Sequence, residues 1–99
     1  MRQLRDDFRK LKAANPDYLL AFGFGDFFEF RYCDASDIHE ALPDVAFDDT
    51  VEYQRIKIHK LAIFQFSARL TAKGLKVAMV ARTLRNGKAS YRISGRSDS

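Results

Sequence analysis

Apolar positions recur at helical spacing in three stretches of the chain and at strand spacing in most of the rest. In Arg2–Ala14, Leu4, Phe8 and Leu11 fall at i, i+4 and i+7, one stripe with charges opposite, and Asn15-Pro16 ends it. In Asp34–Leu42, Ala35, Ile38, Ala41 and Leu42 form the stripe, Asp34 and Ser36 can cap the start, and Pro43 stops it. In Lys60–Lys73, Ile63, Phe66 and Leu70 form the stripe and Gly74 the stop. The strand-like stretches are Tyr18–Phe24, Phe27–Cys33, a short Val45–Phe47, Val51–Ile58, Leu75–Leu84 and Lys88–Ser94. Val77–Ala81 is apolar on both faces, as in an interior strand. Gly25-Asp26 and Asn86-Gly87 are hairpin turns, the second the strongest such signal available. The pattern predicts one α/β (α+β) domain: a mixed sheet of five to six strands packed with three helices, and a frayed tail over Gly95–Ser99.

The 99 residues are 46% hydrophobic, with nine Phe, four Tyr and no Trp. That is enough for one core, with rings to spare for the surface. A single cysteine, Cys33, excludes an internal disulfide and is expected to be a small buried residue. His39 and His59 share no ligand spacing with Cys33 or a carboxylate, so no metal or other cofactor is expected. Both histidines read as surface or structural. With no apolar signal region and no membrane-length run, the expected location is cytoplasmic, without a membrane partner.

Charge is segregated. From Asn15 to Tyr53 ten acidic residues face one basic residue, Arg31, and from Gln54 to Ser99 eleven basic residues face one acidic residue, Asp98. The basic half suits a polyanion such as nucleic acid, unless the two halves cancel in the fold. Arg82, Arg85, Lys88 and Arg92 around the Asn86-Gly87 turn are the densest basic cluster and the best candidates for phosphate contacts; a solubilising hairpin tip is the alternative. Tyr53, Arg55 and Lys57, at i, i+2 and i+4, make a second usable surface, or an ordinary solvated strand face.

Alternation along the second strand separates Phe28, Phe30 and Tyr32, an aromatic core face, from Phe27, Glu29 and Arg31. A Phe beside two opposite charges is either a satellite cluster, with Phe27 covered and Glu29 paired to Arg31, or a binding surface. The segment Leu11-Lys12-Ala13-Ala14-Asn15-Pro16-Asp17-Tyr18-Leu19-Leu20, then Gly25-Asp26-Phe27-Phe28-Glu29-Phe30 and Tyr32-Cys33-Asp34-Ala35, resembles the opening of the N-terminal, mismatch-reading domain of the DNA mismatch repair protein MutS. Leu61–Gly74 followed by Val77-Ala78 is similar to that family's later helix, Gly stop and strand, more loosely. The resemblance covers most of the chain, with its specific part in the first third. It implies a DNA-binding module in which Phe27 stacks on a mispaired base, Glu29 accepts a hydrogen bond from it, and Gly25 and Asp26 shape the turn. The implied partner is double-stranded DNA, mismatched or distorted, and beyond it other mismatch repair proteins.

The chemistry is consistent with those types. A Phe at a hairpin edge can wedge into a minor groove, and a mispaired step unstacks at lower cost. A carboxylate would be repelled by phosphates, so Glu29 makes sense as a base acceptor. Departures are plain: the family's Arg- and Gly-containing loop between the middle strands is replaced by the short acidic Asp44–Asp49, and its Pro-Tyr-His by Ile58-His59-Lys60. No Gly-x-x-x-x-Gly-Lys-Ser/Thr phosphate loop occurs, so neither an ATPase nor another enzyme is expected, and the reading is of a stand-alone domain. A protein-interaction module that docks with or competes against repair proteins is the alternative. A metal-dependent nuclease is disfavoured, because after Pro43-Asp44 the Glu52-Tyr53-Gln54 triplet has Gln54 where a Lys is needed.

Overall fold

The computed structural model describes residues 2–96, with side chains from residue 5 onward. The helices are α1 (Arg2–Ala14), α2 (Cys33–Ala41) and α3 (Ile63–Ala72); the strands are β1 (Tyr18–Phe24), β2 (Phe27–Arg31), β3 (Arg55–His59), β4 (Lys76–Arg85) and β5 (Lys88–Arg96). They form one mixed sheet in the order β3-β2-β1-β4-β5, parallel between β1 and β4 and antiparallel elsewhere. This is the expected α+β domain with three helices.

Two cores sandwich the sheet. On one face α2 and α3 bring Ile38, Ile63, Phe66 and Leu70 onto Leu19, Phe30, Ile56 and Val77. On the other, Phe8 of α1 packs on Leu20, Phe22, Ala78 and Val80, with Leu11 beside it. The α1 and α3 stripes therefore do what their spacing predicts; Leu4 lies outside the residues whose side chains are described. β1 and the first half of β4, Val77–Val80, are buried on both faces, which explains their continuous apolar runs.

Several boundaries differ from the sequence expectation. Val45–Phe47 forms no strand, and β3 begins at Arg55 rather than Val51. The acidic stretch instead folds on itself: Asp48 accepts from Thr50 and Arg55 side chains, and Arg69 reaches Asp44. Local carboxylate bonds compete with sheet pairing there. Lys60–Ala62 is a turn ahead of α3. Tyr32 leaves β2 with φ 59°. It therefore swings away from Phe28 and Phe30 to the α1 face, 5.1 Å edge-on to Phe8. Asp34 does not cap α2. Its carboxylate is fully buried, accepts from Leu20 N–H at 2.9 Å and pairs with Lys12 at 2.7 Å, tying α1, β1 and α2 together. Cys33 opens α2 on its outer side and is exposed, contrary to expectation. Gly95 and Arg96 belong to β5, so the tail is shorter than expected; residues 97–99 lie outside the described part.

Candidate nucleic-acid interface

Both hairpin turns lie at one end of the sheet, because β1 and β4 run parallel. Phe24 and Phe27 close the β1–β2 turn around Gly25-Asp26. Gly25 has φ +60° while Asp26 does not, the pattern of a type II′ turn. Arg85 and Lys88 close the β4–β5 turn, where Asn86 (φ 53°) and Gly87 (φ 78°) both take the left-handed region, as a type I′ turn demands. Phe22 pairs with Val80, so Phe24 stands level with Arg82. The β4–β5 ribbon then runs three residues further, about 10 Å at a strand's rise, and projects past the first turn. β3 ends at the same edge, where His59 pairs with Phe27.

Within this end, the α1-side face collects rings and cations. Phe27 is 38% exposed; it is met edge-on by His59 at 5.3 Å, and the Lys57 ammonium lies 4.5 Å from its centroid. Phe27 is therefore open, unlike the covered ring of a satellite cluster. Glu29 is only 7% exposed and accepts two bonds from Arg31, at 2.6 Å and 3.1 Å, with Arg55 at 3.7 Å. The expected Glu29–Arg31 pair thus forms beside an open Phe27. Arg31 also lies over Phe24 (5.5 Å) and Tyr53 (5.1 Å), and Arg82 over Phe24 (5.6 Å) from the other side. Tyr91 stands edge-on to Phe24.

Of the six candidate DNA-contacting residues, the fold brings Phe27, Glu29 and Arg82 onto this face. Arg85, Lys88 and Arg92 are exposed on the same projecting ribbon, but strand alternation from the Arg82–Tyr91 pair puts them on its opposite side. Gly25 and Asp26 form the turn itself, and Asp26 pairs with Lys60 at 3.1 Å. Tyr53 precedes β3 rather than lying in it, yet joins the face through Arg31, with Arg55 and Lys57 alongside. Arg31 was expected here only as the partner of Glu29, and Phe24 and Tyr91 were not singled out from sequence. Alternation through Leu20, Phe22 and Phe24 could have placed Phe24, but the cross-strand register that brings in Tyr91 has no signal in one chain.

Elsewhere the histidines and the cysteine are accounted for structurally. His39 Nδ1 donates to the Val45 carbonyl at 2.7 Å and its ring lies on Phe47. Burial and the neighbouring Asp34 push the Cys33 thiol up, away from the reactive thiolate. Among the described residues, no group of three His, Cys, Asp or Glu side chains is placed to hold a metal ion.

The family model of MutS domain I matches residues 3–96. The chain belongs to the MutS domain I family. A search of curated proteins gave no match. MutS domain I is a DNA-binding domain rather than a catalytic one, so the three helices and the mixed sheet constitute a mismatch-recognition-like DNA-binding fold. In this member of the MutS domain I family, the specific motif residues Gly25-Asp26-Phe27-Phe28-Glu29 make the β1–β2 turn and the start of β2, at the exposed end of the sheet.

Proposed function

We propose that this domain binds duplex DNA through the turn end of its sheet and favours mispaired or distorted steps. The observation that carries the reading is the shared end: the β1–β2 turn with Phe27 and the basic β4–β5 ribbon project from the same edge, one level beyond the other. Phe27 stacks on a base at a weakened step, and the ribbon follows the backbone. Arg82 reaches phosphates beside Phe27, while Arg85, Lys88 and Arg92 do so from the ribbon's far side, which a strand pair entering or straddling a groove permits. Glu29 accepts a hydrogen bond from the mispaired base. Its charge among phosphates is tolerable because Arg31, Arg55 and Lys57 surround it.

Specificity arises from deformation. A paired, stacked step resists the Phe27 wedge, and a mispaired one yields. The domain acts without nucleotide hydrolysis, for want of a phosphate loop in these residues, in the cytoplasm, and alongside other mismatch repair proteins. A gel-shift titration with matched, mismatched and single-stranded oligonucleotides tests the reading. The expected order is mismatched over matched duplex, both salt-sensitive; equal, salt-independent retention of all three would overturn it.

A further inference from the structure

The sheet face that carries α3 is left open toward the β4–β5 ribbon. There a cleft of about 450 Å³ runs between α3 and the ribbon, with Phe28 and Met79 in its floor, Phe64 as its wall, and Gly23, Gly25 and Gly95 giving it depth. Phe64 is 81% exposed, and Leu61, in the turn just before α3, is 83% exposed. A large aromatic side chain so open to water in the wall of a glycine-lined cleft, with an equally open Leu61 three residues before it, marks a docking surface.

The ribbon forms the opposite rim, and its length beyond the lining residues is cationic on the same side. Arg85, Lys88 and Arg92 share the ribbon side with Ala81, which itself lines the cleft. No acidic residue occurs from Leu75 to Arg96, and Asp26, beside Gly25, is already paired with Lys60. The occupant must therefore bring an apolar group for Phe64 and the floor, and negative charge for the rim. A sugar–phosphate backbone supplies the charge but nothing for the apolar wall.

We infer that the cleft docks an acidic peptide segment of a partner protein, which inserts a Leu, Phe or Trp side chain against Phe64, Phe28 and Met79 and lays Asp or Glu residues along Arg85, Lys88 and Arg92. The surface is the reverse of the one bearing Phe27 and Glu29, so the partner leaves those two open, while it competes with DNA phosphates for Arg85, Lys88 and Arg92. The recognition mode is an anchor in a groove with charge-guided orientation.

Gly95 gives a clean probe. Its φ is not in the left-handed region, and a Cβ built there meets no atom within 4 Å, so Gly95→Leu fills the cleft without strain. Phe64→Ser removes the exposed wall at no cost to the core. The ligands are fluorescein-labelled twelve-residue peptides of Asp and Ser with one central Leu, Phe or Trp, with controls carrying Ala at the centre or Lys in place of Asp. Fluorescence polarisation is expected to show at least one acidic, anchored peptide binding tenfold or more above both controls. Gly95→Leu and Phe64→Ser should each lower that affinity about tenfold, with unchanged melting and unchanged duplex affinity. Failure of every anchored peptide to exceed its controls would overturn the inference. So would equal binding by both variants. A loss of duplex affinity in both variants would assign the cleft to DNA instead. Concentration-dependent dimers in sedimentation, abolished by Gly95→Leu, would assign it to a second copy of this chain.

Discussion

Arg31 grips a single carboxylate oxygen of Glu29: Nη2 at 2.6 Å and Nε at 3.1 Å both donate to Oε1. No hydrogen bond to Oε2 is found among the described residues. One oxygen of the nearly buried carboxylate is thus held by the protein, and the proposed base contact falls to the other. The same grip fixes the orientation of the side chain without help from DNA, so less ordering is left for the binding step.

Glu29→Ala is expected to leave matched-duplex affinity unchanged or raise it, because the carboxylate no longer offsets Arg31 and Arg55. The preference for mismatches should shrink, since the base loses its acceptor. Arg31→Met should do the reverse on matched duplex, weakening it by leaving Glu29 less neutralised. Competition gel shifts with matched and mismatched duplexes check both. Equal weakening of the two duplexes by Glu29→Ala would contradict the base-acceptor role.

Phe27→Ala separates stacking from packing. The ring is more than a third exposed and touches His59 and Lys57 rather than either core. Its loss should cost well under the roughly 3–5 kcal/mol of a truncated core ring. Mismatch binding should fall by roughly 1–3 kcal/mol, the worth of one aromatic–base stack. A thermal melt and a gel shift read the two quantities. A large melting loss with unaltered DNA affinity would remove Phe27 from the binding surface.

These expectations rest on features of unequal legibility. The α1 and α3 stripes, the two turns and the strand faces of β1, β2 and β5 were readable because each depends on residues close in sequence. Tyr32 was misplaced because alternation assumes a continuing strand, and its positive φ breaks it. The acidic stretch 44–52 defeated the strand assignment because Asp48 prefers Thr50 and Arg55 to a neighbouring strand. Cys33 was expected inside because cysteines usually are, and one residue's rotation at the start of α2 turned it out. At the candidate site, the sequence singled out Phe27, Glu29 and the four cations. Alternation across the Asn86-Gly87 turn already separates Arg82 from Arg85, Lys88 and Arg92, but that Arg82 stands beside Phe24 depends on the parallel β1–β4 pairing of segments more than fifty residues apart.

That division makes a prediction of its own. Replacing any one of the four cations with Ala should shallow the log affinity–log salt slope by about one unit. Only Arg82 lies over Phe24 beside the Phe27 surface. Arg82→Ala should therefore also reduce the mismatch-to-matched ratio, while Arg85→Ala, Lys88→Ala and Arg92→Ala should weaken both duplexes alike. A salt series on the two duplexes distinguishes these patterns. Unequal effects of Arg85→Ala on the two duplexes would contradict the assignment.

The final prediction concerns Asp34. Burial is the largest influence on its carboxyl and raises it above the ordinary 3.8, against the lowering by the Lys12 and Leu20 bonds. A raised folded value means that the folded state binds the proton more tightly than the unfolded state. The resulting stability is fully present below 3.8 and is lost as pH rises through the folded value. Asp44 and Asp48 behave oppositely. Arg69 lowers the first, and Thr50 and then Arg55 lower the second, so their stability is present above 3.8 and is lost as pH falls through their folded values. On acidification from pH 7, stability should rise as Asp34 takes up its proton, then fall below about pH 4 as Asp44 and Asp48 lose their charge. Asp34→Asn should abolish the rise and leave the fall. Lys12→Met should enlarge the rise, because it removes a partner that stabilises the charged form. At pH 7 it should cost about 3 kcal/mol, as for a buried charge left alone, and less as the pH falls and Asp34 takes up its proton. Urea melts across this range measure each curve. A Lys12→Met cost independent of pH would mean that Asp34 stays charged in the folded protein throughout.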